Sequence, residues 1–307
     1  MLATRRNFLG STLALAGATA VAGLPRLARA ARRPVERLVV TTPDGLELSA
    51  RAYGEPRNPG VVLVHGLGQS RLSWDPQVDS GLSDQFRIIT YDLRGHGDSD
   101  KPIDTAAYAD GQRWGEDLAA VIAQAGLRRP VVVGWSLGGL VIGHYLAKHG
   151  ADAVSGVNLV AGVTKLAPDL LTETAGVYAK RLASADLAER SDAIGAFLAL
   201  CFAKPPAPAE FRRMLAFNGM VPREVQLGIG KISTEGLDPA FAAVPRLLVT
   251  HGAKDALVRR AMADRMLHIN PRATLSVFER SGHAPFWEDA TRFNRELSGF
   301  VATTQTR

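Results

Sequence analysis

The sequence predicts an α/β fold, a mostly parallel eight-stranded sheet with helices on both faces and a helical cap inserted between its sixth and seventh strands. Three observations predict it: short apolar runs spaced for strands, helix-compatible segments between most of them, and one long stretch that lacks any strand. In order, Val35–Thr42 and Leu46–Tyr53 flank Pro43-Asp44-Gly45, a combination that favours a tight turn and an antiparallel hairpin. Gly60–Val64, Phe86–Tyr91, Val131–Trp135, Val154–Val160, Arg246–Thr250 and Ala273–Phe278 follow. They are rich in Val, Ile and Leu and of the length expected for strands buried on both faces. Helical segments lie around Gly111–Ala125, Gly138–His149, Arg259–His268 and Trp287–Val301, and strands alternating with helices imply parallel pairing through right-handed crossovers.

Between Ala161 and Val244 the rhythm breaks, with helical composition, a Pro205-Pro206-Ala207-Pro208 patch and no strand. A structureless loop of that length is uncommon in a compact domain. Residues 161–244 are therefore expected to form a helical cap, and 31–160 with 245–307 the sheet domain. Leu198, Leu200, Phe202, Phe211, Met214, Leu215 and Phe217 are the cap's apolar positions; packing the cap onto itself outweighs lining a substrate site as their role.

Of the 307 residues, 46% are hydrophobic and 21% charged, which fits one folded unit able to bury a core and shape a pocket. The formal charge is +6, but residues 1–30 hold Arg5, Arg6, Arg26 and Arg29 and no acid, so the remainder carries 32 basic against 30 acidic residues, or +2. Such a balance gives no nucleic-acid footprint. Cys201 is the sole cysteine, so no internal disulfide can form, and with no basic neighbour in sequence it reads as a small buried apolar residue.

The N-terminus runs from Arg5-Arg6-Asn7-Phe8-Leu9 through an uncharged stretch to Ala28-Arg29-Ala30. Charge, apolar run and small-x-small site are the layout of an export signal, and the paired arginines resemble the bacterial twin-arginine signal. That resemblance implies export through the twin-arginine machinery, cleavage of residues 1–30, a periplasmic or secreted protein and no membrane anchor after cleavage.

The chemistry centres on Val131-Val132-Val133-Gly134-Trp135-Ser136-Leu137-Gly138-Gly139. An apolar strand running into Gly-x-Ser-x-Gly and then a helix places the serine on a strained turn that only small flanking residues tolerate. The helix N-terminus behind it adds unpaired N–H groups and positive potential, suited to an oxygen that becomes negative. A serine hydroxyl needs a base within hydrogen-bond reach, itself held by a third group. Asp255 lies in the loop after Leu247–Thr250, and His283 lies in Ser281-Gly282-His283-Ala284-Pro285 after the last strand. Asp264, Glu279, Glu288 and Asp289 are the other acids nearby, but none leaves a strand into a loop ahead of His283.

Four segments together are similar to the α/β-hydrolase family, over residues from about 35 to 303: His65-Gly66-Leu67-Gly68 after the third strand, Asp92-Leu93-Arg94-Gly95-His96-Gly97-Asp98-Ser99 after the fourth, the serine turn, and the Asp255/His283 pair. The resemblance implies an acyl-enzyme mechanism on a small-molecule ester or related acyl substrate. By that resemblance Ser136, His283 and Asp255 are expected to form the triad and the backbone N–H groups of Leu67 and Leu137 the oxyanion hole, with no cofactor or metal required. Members that open epoxides or remove halides use a carboxylate at the turn, and Ser136 in that place argues sharply against both readings. The Gly-Trp-Ser-Leu-Gly-Gly segment resembles cofactor-free haloperoxidase-like perhydrolases as well as esterases, and a non-catalytic ligand-binding protein on the same scaffold is a third alternative. His65, His96, His144, His149 and His251 read as structural or surface residues, because none pairs at metal-ligand spacing with a third ligand. Asp92 and Arg94 read as loop scaffolding. Trp135, Phe286 and Trp287 stand beside the catalytic positions as pocket walls or as core.

Overall fold

A computed structural model describes residues 35–304; the export-signal expectation lies outside the described residues. The strands are β1 (Glu36–Thr41), β2 (Glu47–Tyr53), β3 (Gly60–Val64), β4 (Arg87–Tyr91), β5 (Val131–Trp135), β6 (Gly156–Val160), β7 (Leu247–Gly252) and β8 (Thr274–Phe278). They form one sheet in the order β1-β2-β4-β3-β5-β6-β7-β8. The hairpin β1/β2 is antiparallel and β2 pairs antiparallel with β4, while every later pairing is parallel.

Burial follows the sequence pattern through the central strands, but β8, expected to be buried on both faces, is exposed or half-buried everywhere except Phe278, because it lies at the edge of the sheet. Every residue of β4, β5, β6 and β7 is buried, whereas β2 alternates buried with half-buried or exposed positions and the edge strand β1 is mostly exposed. A continuous apolar run needs cover on both faces, while alternation leaves one face to solvent. The charged Glu36 and Arg37 on β1 also discourage pairing with another chain at that edge.

Helices α1 (Gly111–Gln124) and α2 (Gly138–His149) pack so closely that a Cβ on Gly115 would stand 2.7 Å from the Tyr145 amide nitrogen. The insert between β6 and β7 is helical: α3 (Glu173–Leu182), α4 (Leu187–Leu200), α5 (Pro208–Gly219), α6 (Arg223–Ile229) and α7 (Leu237–Ala243). The fifth, α7, packs on α2, with Phe241 and Leu237 against Gly143. Asn270 Nδ2 donates to the Phe241 and Val244 carbonyls at 3.0 and 2.8 Å, tying the end of the insert to the segment after α8 (Arg260–Ile269). The sequence reads Trp287–Val301 as one helix, but a single turn, Pro285–Glu288, precedes α9 (Ala290–Thr304). Asp289 interrupts them at φ −135°, ψ 60°.

The loop after β4 is fixed by a buried ion pair. Arg94, fully buried, donates to both Asp117 oxygens at 2.7 Å, to Asp44 at 3.0 and 3.1 Å and to the Ala107 carbonyl at 2.9 Å. Asp117→Asn keeps the shape but leaves the guanidinium under-compensated; chemical denaturation should show a loss of about 3 kcal/mol.

Candidate active site

The chemistry-bearing loops leave the carboxyl ends of β3, β5, β7 and β8, where open α/β sheets gather their ligands. Ser136 follows β5 directly, with φ +53°, a left-handed conformation that non-glycine residues seldom adopt. Backbone bonds hold it there: its N–H donates to the Val160 carbonyl at 3.1 Å, and its own carbonyl accepts from Gly139 and Val163 at 2.9 and 2.8 Å. Glycines flank it for lack of room. A Cβ on Gly134 would meet the Gly138 carbonyl oxygen at 2.7 Å, and one on Gly138 would meet that of Val64 at 2.8 Å.

Asp255 and His283, 28 residues apart, meet through a 2.7 Å bond between Oδ2 and Nδ1. Both side chains are at least 98% buried. The other carboxylate oxygen, Oδ1, accepts from the Leu257 and Val258 amides at 2.8 and 3.0 Å. Burial alone would raise the Asp255 pKa, but His283 and these two N–H groups outweigh it and hold the carboxyl below its ordinary value. A carboxylate only accepts, so Nδ1 carries the proton and Nε2 is left with its lone pair. The Trp135 indole N–H donates to the His283 carbonyl at 2.8 Å, linking the residue beside Ser136 to the histidine loop.

Ser136 opens into a cavity of about 510 Å³, lined also by Leu67, Leu137, Leu140, Phe197, Leu227 and Val258. Its walls are predominantly hydrocarbon, and among the described residues the N–H groups of Leu67 and Leu137 have no acceptor. Two residues with unpaired backbone donors and one serine on a strained backbone therefore border one apolar space.

The expected bracing residues behave as such. His65 is fully buried, its Nε2 accepting from the Leu93 amide at 3.0 Å and its Nδ1 lying 2.8 Å from the Gly66 carbonyl. His96 is also fully buried; its Nε2 accepts from the Gly68 amide at 3.2 Å, and its Nδ1 lies 2.9 Å from the Arg94 carbonyl. Burial lowers these histidines to about 4 and about 3, so both are neutral braces under the Leu67 loop. Asp92 takes the Arg71 amide and guanidinium, each at 2.7 Å. His149 sits 2.7 Å from Glu116, His144 3.3 Å from Gln112, and His251 is buried at the end of β7. Cys201 is buried, and burial pushes its thiol pKa up.

The aromatic neighbours divide. Trp135 and Phe286 are 1% exposed, with ring centroids 4.8 Å apart, and the Trp74 ring lies tilted against Phe286 at 4.3 Å. They are core, absent from the cavity's lining, and Trp287 borders a different cavity beside Asp75 and Arg213. The cap residues singled out in the sequence also lie outside that lining. Instead Leu171, Ala175, Ala179, Leu182 and Phe197 form the cap wall. On α3 the helical spacing of Ala175, Ala179 and Leu182 marks one apolar face, a signal that reveals an inward side without saying whether it meets protein or space.

A family model described as the alpha/beta hydrolase fold matches residues 59–290. The chain is similar to the crystal structure of a candidate aryl esterase from Burkholderia cenocepacia, 39% identical with a TM-score of 0.85 over 89% of this chain and all of that one. It is 29% identical to the pimeloyl-[acyl-carrier protein] methyl ester esterase of Vibrio cholerae over 78% of this chain and 93% of the relative. Over a shorter stretch, 44% of this chain and 46% of the relative, it is 33% identical to a bifunctional esterase/perhydrolase of Acinetobacter calcoaceticus.

Proposed function

The chain belongs to the α/β-hydrolase fold family and is an ester-hydrolysing enzyme, and from that premise we propose that it is a serine esterase working through Ser136, His283 and Asp255. In this reading the Ser136 hydroxyl attacks the ester carbonyl while His283 Nε2 takes its proton. The developing oxyanion is held by the N–H groups of Leu67 and Leu137, and the alcohol leaves with the proton from the imidazolium. Water then repeats the sequence on the acyl-enzyme. Asp255 holds the tautomer and stabilises the cation. The observation that carries the reading is that Leu67 and Leu137, whose backbone N–H groups have no acceptor among the described residues, line the same cavity as Ser136, because donors fixed before reaction stabilise charge without reorganising. No step calls for a cofactor or metal. The apolar cavity suits an apolar or aryl acyl group.

Labelling with a fluorophosphonate, alongside a p-nitrophenyl ester series of rising acyl length, tests this. We expect stoichiometric labelling of Ser136, and turnover that rises from acetate to medium-chain esters and falls for long ones. A protein that stays unlabelled is instead a binder, and the esterase reading fails. The similarity to a bifunctional esterase/perhydrolase favours one second reading, peracid formation by the same triad from a carboxylic acid and hydrogen peroxide. Peroxide-dependent halogenation in acetate buffer that outpaces ester hydrolysis would select it. Residues 1–30 further support export by the twin-arginine route to the periplasm or beyond. Edman sequencing of the exported protein should begin near Ala31, and any other start refutes that cleavage site.

A further inference from the structure

One acid near the active site has no place in the proposed chemistry, yet it touches the loop that carries His283. Glu288 ends the single turn Pro285–Glu288, five residues past the histidine. Its Oε2 accepts from the Gly282 amide at 2.6 Å, and its Oε1 accepts from two amides of the cap, Ala203 at 2.8 Å and Lys204 at 3.1 Å. One carboxylate thus binds backbone on both sides of the junction between the histidine loop and the segment that joins α4 to α5. The two pieces of backbone also touch directly. A Cβ on Gly282 would stand 2.6 Å from the Ala203 nitrogen and 3.0 Å from the Phe202 carbonyl carbon, so only glycine lets the cap segment lie on the residue before His283.

The carboxylate is held in turn. The Glu288 amide donates to the Ala284 carbonyl at 3.0 Å, and Gln77 Nε2 donates to the Phe286 carbonyl at 2.8 Å, which fixes the turn to the helix after the Leu67 loop. Backbone N–H groups bonded to an ionised carboxylate form the stronger, shorter class of hydrogen bond. Neither a neutral amide nor a shorter acid reproduces three such bonds from one side chain.

We propose that Glu288 is a positioning residue, one that locks the cap segment Phe202–Lys204 onto the Gly282 amide and so aligns the His283 imidazole with Ser136 when the cap is seated. The proposal rests on the reading of His283 as the general base. It makes base alignment and cap seating one event, because a cap segment that lifts takes two of the carboxylate's three donors with it.

The test compares wild type with Glu288→Gln and Glu288→Asp. Each is assayed for fluorophosphonate labelling rate, for kcat and KM on a p-nitrophenyl ester, and for the pH profile of kcat/KM. Glutamine preserves size but presents one acceptor oxygen, and aspartate preserves charge but falls short of one anchor. Both should lower kcat at least tenfold, change KM less than threefold, slow labelling in proportion and displace the limb of the pH profile that reports the base. A purely structural brace would instead lower the melting temperature and leave kcat and the profile of the folded fraction unchanged; that result overturns the proposal. Labelling of wild type with variants that label equally fast overturns this proposal alone, whereas wild type that does not label overturns the His283 reading along with it.

Discussion

Replacing Ser136 with alanine lowers kcat for a p-nitrophenyl ester by roughly 10⁴- to 10⁶-fold, the range seen when the nucleophile of a catalytic unit is removed. Substrate binding survives, because the apolar wall of Leu140, Phe197 and Leu227 is untouched, so KM should change little. Stability should move by less than about 1 kcal/mol, since the strained turn is held by backbone bonds to Val160, Gly139 and Val163 and not by the hydroxyl. Asp255→Asn is the complementary case. Its retained oxygen still accepts from Leu257 and Val258, so the loop keeps its shape. Facing Nδ1, however, the amide now donates, which selects the tautomer with its proton on Nε2 and costs about 10⁴-fold in kcat. A Ser136→Ala enzyme that hydrolyses the ester within tenfold of wild type, at matched purity, excludes the mechanism.

How much of this was legible in the sequence depends on which neighbour decides each feature. The central strands announce themselves because a residue buried on both faces of a sheet has to be apolar at every position, as Val131–Val133 are. The Asp255/His283 contact was legible too, since the two lie in the loops that follow β7 and β8, neighbouring parallel strands of one sheet. The break at Asp289 was missed although its signal was present. Its carbonyl accepts from Phe293 at 3.0 Å and its side chain from the Arg292 amide at 3.4 Å, the habit of a helix N-cap, but helix-compatible residues on both sides hid it. The cavity wall was illegible for a deeper reason. Phe197 and Leu198 are adjacent and both apolar, yet Phe197 borders the cavity and Leu198 is fully buried in the core; only the packing of the cap helices separates them. Trp135 shows the converse, a residue next to Ser136 whose ring is turned into the core by the bond from its indole N–H to the His283 carbonyl.

Acid should destabilise this protein from near neutral pH downward, and two of the groups responsible lie beneath the Leu67 loop. His65 and His96 stand with ring centroids 5.1 Å apart, both fully buried, each accepting a backbone N–H at Nε2. Burial comes first among the causes that lower them to about 4 and about 3 from an ordinary 6.5. A proton on either Nε2 would abolish the acceptor that holds Leu93 or Gly68. Below pH 6.5 the unfolded chain binds protons at both positions while the folded chain refuses them, so the stabilisation is complete above about 6.5 and drains away as the pH falls through 4 and then 3. Each histidine contributes a slope of about 1.4 kcal/mol per pH unit in that window, and the pair together cost roughly 4 kcal/mol at pH 5. His96→Gln isolates the effect, because its amide oxygen reaches toward the Gly68 N–H without titrating. Unfolding free energies from denaturant titrations between pH 8 and pH 5 should fall more gently in this variant, by about 1.4 kcal/mol per unit below pH 6.5, with every other titrating group common to both proteins. Parallel pH profiles for wild type and variant would mean that His96 takes up its proton in the folded protein, and that the loop bearing Leu67 is held by something other than a neutral ring.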